Sequence, residues 1–186
     1  MSLRNVFLHL KTINRHKRIV MQNCFRIGLY RQGLLHDLSK YSWSEFKTGV
    51  KYYRGYRSPN SIERIETGVS PAWLHHKGRN KHHFEYWIDY DLENKGGMIG
   101  TRMPFRYVAE MFCDRVAASK VYKGSEYTDD CPWTYYQPTR DSVYIHPETR
   151  KEILYLLTML KEKGEDETFA YLKKEVARRR REHEYF

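Results

Sequence analysis

The chain has 186 residues, 40% of them hydrophobic and 15% aromatic, enough to bury one sizeable core but not two. Its net charge of +10 suits anionic partners such as nucleic acid, acidic phospholipid or a phosphorylated metabolite, without choosing among them. The three cysteines, Cys24, Cys113 and Cys131, are far apart and lack the CxxC spacing of a zinc clasp or thiol redox site.

Charged residues interrupt the N-terminal segment every few positions. It therefore lacks the apolar run of a signal peptide or membrane span, and the expectation is a cytoplasmic protein with no membrane partner. From Leu3 to Cys24 apolar residues recur at helical spacing through Val6, Leu10, Ile13 and Val20, predicting one helix, or two with a bend, capped by Ser2. Gly28 and Gly33 bracket a connection into LLHDLSKYS, where Leu34, Leu35 and Leu38 read as the core face of a buried helix. Ser42 and Glu45 have capping-box form and open a helix to about Tyr53.

GYRSPNS is rich in turn formers, and Pro71 fits the first turn of a helix containing AWLHH that ends between Lys77 and Asn80. The segment DLENKGGMIGTRM reads as an irregular loop or small hairpin, and Pro104 opens a helix through about Val121. A loop with CPWTYYQPT precedes two amphipathic helices, Glu148 to Lys163, with Ile153, Leu156, Leu157 and Leu160 inward, and Glu165 to about Glu182, separated by Gly164 as a C-cap. The predicted fold is all-α: a single domain over 1–186 with a metal-site core at about 12–120 and a helical extension at about 146–184.

Nine histidines are unevenly placed. His36 adjoins Asp37, while His75, His76, His82 and His83 crowd together. On a helix consecutive side chains diverge by about 100°, yet both members of an HD pair can reach one ion beside the turn. Lys40, four residues after His36, projects from the same side and can hold a phosphate. Taken alone, HDxxK also fits a solvated Asp37–Lys40 pair. His16 lies on the stripe of His9, Ile13 and Val20, and Asp114 on the face of Tyr107, Met111 and Ala118. Unpaired burial there would cost several kcal/mol, so each calls for a partner: an arginine such as Arg18 or Arg26 for Asp114, or a cation.

The order H…HD…D, with HDLSK at the dyad, resembles the HD-domain superfamily of metal-dependent phosphohydrolases over Thr12 to about Lys120. TINRHK, GLLHDLSKYSWSEF, NKHHFEYW and CDRVAASK look like the motifs of a family of bacterial and phage proteins without an assigned activity. The resemblance implies His16, His36, Asp37 and Asp114 as primary metal ligands, and His76 with His82 or His83 at a second position; spacing favours His76 and His82.

It further implies hydrolysis of a nucleotide or other small anionic phosphoester, with Asp37 and Lys40 catalytic and Lys40, Arg79 and Arg106 on the phosphate. One or two divalent ions would activate water, with Fe or Mn favoured and Mg, Co or Zn also compatible. Two rival readings follow from the same residues. One is a nucleic-acid-binding module, from the net charge and the Arg178–Arg181 run; the other is an HD-like metal protein that is inactive or oxidative.

Overall fold

The computed structural model describes residues 2–93, 96–139, 142 and 144–183. It is 72% helical, in the order α1 (Leu3–Arg26), α2 (Tyr30–Leu35), α3 (Trp43–Lys51), α4 (Pro59–Thr67), α5 (Pro71–Lys77), the strands β1 (Ile88–Asp91) and β2 (Gly97–Gly100), then α6 (Phe105–Lys123), α7 (Cys131–Tyr136) and α8 (Pro147–Arg181). The all-α expectation holds. The Gly-rich segment forms an antiparallel hairpin in which Ile88 faces Gly100 and Asp91 faces Gly97.

The central element is α6, packed between α1 and α8. Val108, Ala109, Phe112 and Val116 are fully buried against Val20 and Cys24 of α1 and Ile153, Leu156, Leu157 and Leu160 of α8. Burial of these side chains, each worth about 1.5–3 kcal/mol for the larger aliphatics, fixes the helix that carries Asp114. Gly164 interrupts α8 with φ 80 and ψ 175, so the segments on either side are separate helical runs meeting at a kink. Phe169, Leu172 and Val176 return the second run to the same core.

Several local expectations are corrected. The turn-rich segment at 55–61 leads directly into α4, because Pro59 sits in its first turn, where a missing N–H costs nothing. CPWTYYQPT likewise contains α7, opened by Pro132. Ser42 precedes α3 but makes no side-chain cap, since Glu45 is drawn inward to histidines.

Leu34, Leu35 and Leu38 are 55%, 51% and 49% exposed, not core. The buried side of α2 is Gly33, where an added Cβ would lie 3.0 Å from Cys24 Cβ and 3.2 Å from the Met21 backbone. The two helices approach too closely for a side chain between them, so the leucines point outward.

Candidate metal centre

His36 and Asp37 do not lie on a helix. Helix α2 ends at Leu35, His36 is extended (φ −51, ψ 128), and Asp37 is left-handed (φ 54, ψ 26), a region that Asp tolerates better than most residues. This reversal, rather than helical spacing, turns both side chains inward. Lys17 of α1 donates to the carbonyls of Leu34 and His36 at 2.8 and 2.9 Å, tying the turn to the helix that carries His16. A 3-10 turn over Leu38–Tyr41 then stacks Lys40 over Asp37, with Nζ 2.5 Å from Oδ2. That pair exists, but Asp37 is 2% exposed, so it is not the solvated surface bridge.

The two oxygens of Asp37 face different sets of ligands. Oδ2 lies 3.2 Å from His36 Nε2 and 3.6 Å from His16 Nε2, and these close on Asp114 Oδ1 at 3.5 and 3.0 Å. Oδ1 lies 3.4 Å from His76 Nε2 and 3.5 Å from His82 Nε2, with His83 Nε2 2.9 Å from that of His76. Each set offers four ligand atoms within 4.8 Å of one another. Bonds of about 2.1 Å to a common ion place neighbouring ligands roughly 3.0–3.4 Å apart.

Most of these atoms are close without a hydrogen bond between them, the pair of His76 and His83 being the exception. The Nε2 atoms of His16, His36 and His82 and Oδ1 of Asp37 are buried and find no hydrogen-bond partner among the described residues, while Oδ2 of Asp37 pairs with Lys40. Such a concentration of lone pairs and unaligned N–H groups is costly unless a cation joins them. The donor set therefore fits divalent ions. It contains no sulfur: Cys24 and Cys113 are buried in the core, and Cys131 opens α7.

Carboxylates fix the opposite side of three of the rings. Glu110 Oε1 lies 2.9 Å from His36 Nδ1 and 3.2 Å from His82 Nδ1, while Glu45 meets His76 Nδ1 at 2.8 Å and His75 Nδ1 at 2.7 Å. Accepting a hydrogen bond from Nδ1 turns each Nε2 of His36, His76 and His82 toward Asp37. Glu110 also falls within ligand distance of His36 and His82, but its contact is to Nδ1, which makes it an orienting group. Asn80 braces His76 from below, donating to its carbonyl at 2.8 Å and to Ser39 Oγ at 2.8 Å.

Electrostatics match this arrangement. Burial alone would raise the Asp37 carboxyl, but His36, Lys40 and His76 hold it well below the usual carboxylate range. Burial opposes the charge on Lys40, and Asp37 and Asp114 more than offset it, raising its ammonium above the ordinary value. For Asp114, the neighbouring His16 and His36 rings likewise overcome burial and depress the carboxyl.

Of the residues expected at the site, His16, His36, Asp37, His76, His82, His83 and Asp114 converge. His75, which is outside that expected set, turns to Glu45. Asp114 pairs with histidines, not with Arg18 or Arg26; Arg26 engages Glu165 and Asp166. The centre opens on a cleft of about 780 Å³, within the usual range for small-molecule sites. Lys40 lines it, but Arg79 and Arg106 do not. Arg79 folds back onto the His75 carbonyl, and Arg106 stacks on Tyr107 at the start of α6, about 12 Å along the axis from Asp114. Arg57, Arg64 and Arg115 line the cleft in their place.

Glu45 and Glu110 were missed as site residues. Glu45 carried a capping signal, whereas Glu110 stands one helical turn before Asp114 and could have been found on that face.

Three arginines of the run are engaged within the protein. Arg178 pairs with Glu175 and Glu182, Arg179 with Glu175 and Glu152, and Arg180 donates to the Gly28 carbonyl. Among the described residues no helix is long and apolar enough to cross a membrane.

No curated protein and no solved structure matches the chain. A family match spans residues 5–159 and takes in every residue of the centre: the chain belongs to the family of unknown function DUF5662.

Proposed function

We propose that the protein is a metal-dependent phosphohydrolase acting on a small phosphoester, with Asp37 shared by two sets of residues that would each hold a divalent ion. The observation that carries this reading is the division of the Asp37 oxygens between two ligand sets, in which Nε2 of His16, His36 and His82 is buried and finds no hydrogen-bond partner among the described residues. The order of those residues along the chain resembles the HD-domain superfamily and supports the same chemistry.

His16, His36, Asp37 and Asp114 would hold one ion, and Asp37, His76, His82 and His83 the other, with iron or manganese the best match to histidine and carboxylate. Divalent ions bound there supply Lewis-acid activation of water and of a phosphoryl oxygen. The remaining roles belong to the chain. Glu45 and Glu110 orient the imidazoles, and Lys40 at the cleft wall neutralises charge on a phosphoryl group. Trp73, 4.7 Å from the His83 ring, and Tyr56 and Tyr135 offer aromatic faces to the rest of the substrate.

Elemental analysis joined to a phosphatase and phosphodiesterase panel tests the reading. Wild-type protein is expected to carry up to two ions and to turn over a phosphoester with added manganese or iron. Asp37→Asn keeps a residue that tolerates the left-handed backbone and should lose about 100-fold in activity or metal affinity. Wild-type protein that takes up no metal, or is inert with every substrate and every metal, overturns it.

A further inference from the structure

His16, His36, His76 and His82 of the centre each contact a carboxylate, but His9 contacts none among the described residues. It is 6% exposed and lines the same cleft, with a buried Nδ1 that meets no partner among the described residues. His9 stands seven residues before His16 on one face of α1, which places it about 10 Å from that ligand along the helix axis. Gly49 makes the position available: a Cβ there would fall 2.0 Å from His9 Nε2. Phe46 and Tyr53 hold the ring, with centroids at 5.3 and 6.1 Å.

A buried imidazole nitrogen without a partner costs on the order of 1–3 kcal/mol, so its retention at a cleft wall points to a ligand. His9 belongs to neither ligand set around Asp37. Burial, then Lys40, lowers its pKa to about 4, so the ring is neutral near pH 7 and cannot attract an anion by charge. It is suited to an uncharged donor or acceptor. Beside it, Thr12 Oγ1 and Tyr53 Oη lie 3.0 Å apart, and Thr12 also lines the cleft.

We propose that His9 determines specificity by hydrogen-bonding an uncharged polar edge of the substrate's alcohol portion, such as a nucleobase, while the phosphate sits at the Asp37 centre. This rests on the phosphohydrolase reading for the position of the phosphate. The distance of about two helical turns between His9 and His16 matches the length of a nucleoside better than that of a short alcohol.

The test is titration calorimetry on the full, manganese-loaded chain with four nucleoside 5′-monophosphates and with phenyl phosphate, which has no polar edge. Wild-type protein should prefer at least one nucleotide over phenyl phosphate. His9→Phe should reduce that preference tenfold or more, and His9→Asn, whose amide reaches the Nδ1 position, should recover most of it. Should His9→Phe fail to fold, His9→Ala against His9→Asn gives the same comparison.

No nucleotide preference in the wild type, or an equal preference in wild type and His9→Phe, overturns the proposal. Phenyl phosphate turnover is read in parallel. Its presence without nucleotide preference leaves the phosphohydrolase reading standing and removes only the role of His9. A His9-dependent preference without turnover of any phosphoester does the reverse.

Discussion

Oε1 of Glu110 lies 2.9 Å from Nδ1 of His36, and this contact decides which nitrogen of the ring faces Asp37. The same oxygen approaches His82 Nδ1, so one carboxylate on the central helix sets a ring of each ligand set. Glu110→Gln should therefore weaken metal binding about 10–100-fold with little change in fold. Competition against a chelator of known affinity measures it, and an unchanged affinity would remove the orienting role.

Metal binding should also stabilise the folded chain, because the ligands come from α1, the dyad turn, α5, the histidine segment and α6. At a free metal concentration of 100 times Kd the gain is about 2.7 kcal/mol, which for a protein of this size corresponds to roughly 5–10 °C in Tm. Thermal melts with and without chelator should differ by that amount. Coincident melts would mean that these side chains hold no ion.

The close approach of α1 and α2 predicts a cost at Gly33. A methyl group there meets Cys24 Cβ at 3.0 Å and the Met21 backbone at 3.2 Å, so Gly33→Ala must push the helices apart. Overpacking of this kind costs about 1–3 kcal/mol, visible as a lower denaturant midpoint. Because α2 leads into the dyad, metal affinity should fall with it.

His9 gives a pH signature with a definite sign. Its folded pKa of about 4 lies below the ordinary 6.5, so between those values the unfolded chain binds the extra proton and stability falls as the pH drops from about 6.5 toward 4. After discounting for the solvent its cleft admits, the contribution is about 1–2 kcal/mol. Denaturation of chelator-treated wild type and His9→Phe across that range should show the wild type losing more by this amount. Parallel curves would show that His9 titrates normally.

The sequence by itself determined the all-α class, the inward face of Ile153, Leu156, Leu157 and Leu160, the break at Gly164, and the set of histidines and aspartates that converge. The first three were legible because helical periodicity is local; the ligand set came from the resemblance in motif order, to which His16 and Asp114 on apolar faces lent weight. Tertiary structure alone decided the rest. The left-handed turn at Asp37, the outward leucines beside Gly33, and the assignment of Glu45 and Glu110 to histidines come from contacts between residues up to 74 positions apart. No periodicity carries such information. His36 and Asp37 are neighbours in sequence, but they share a site because a chain reversal points them at α1 and α6.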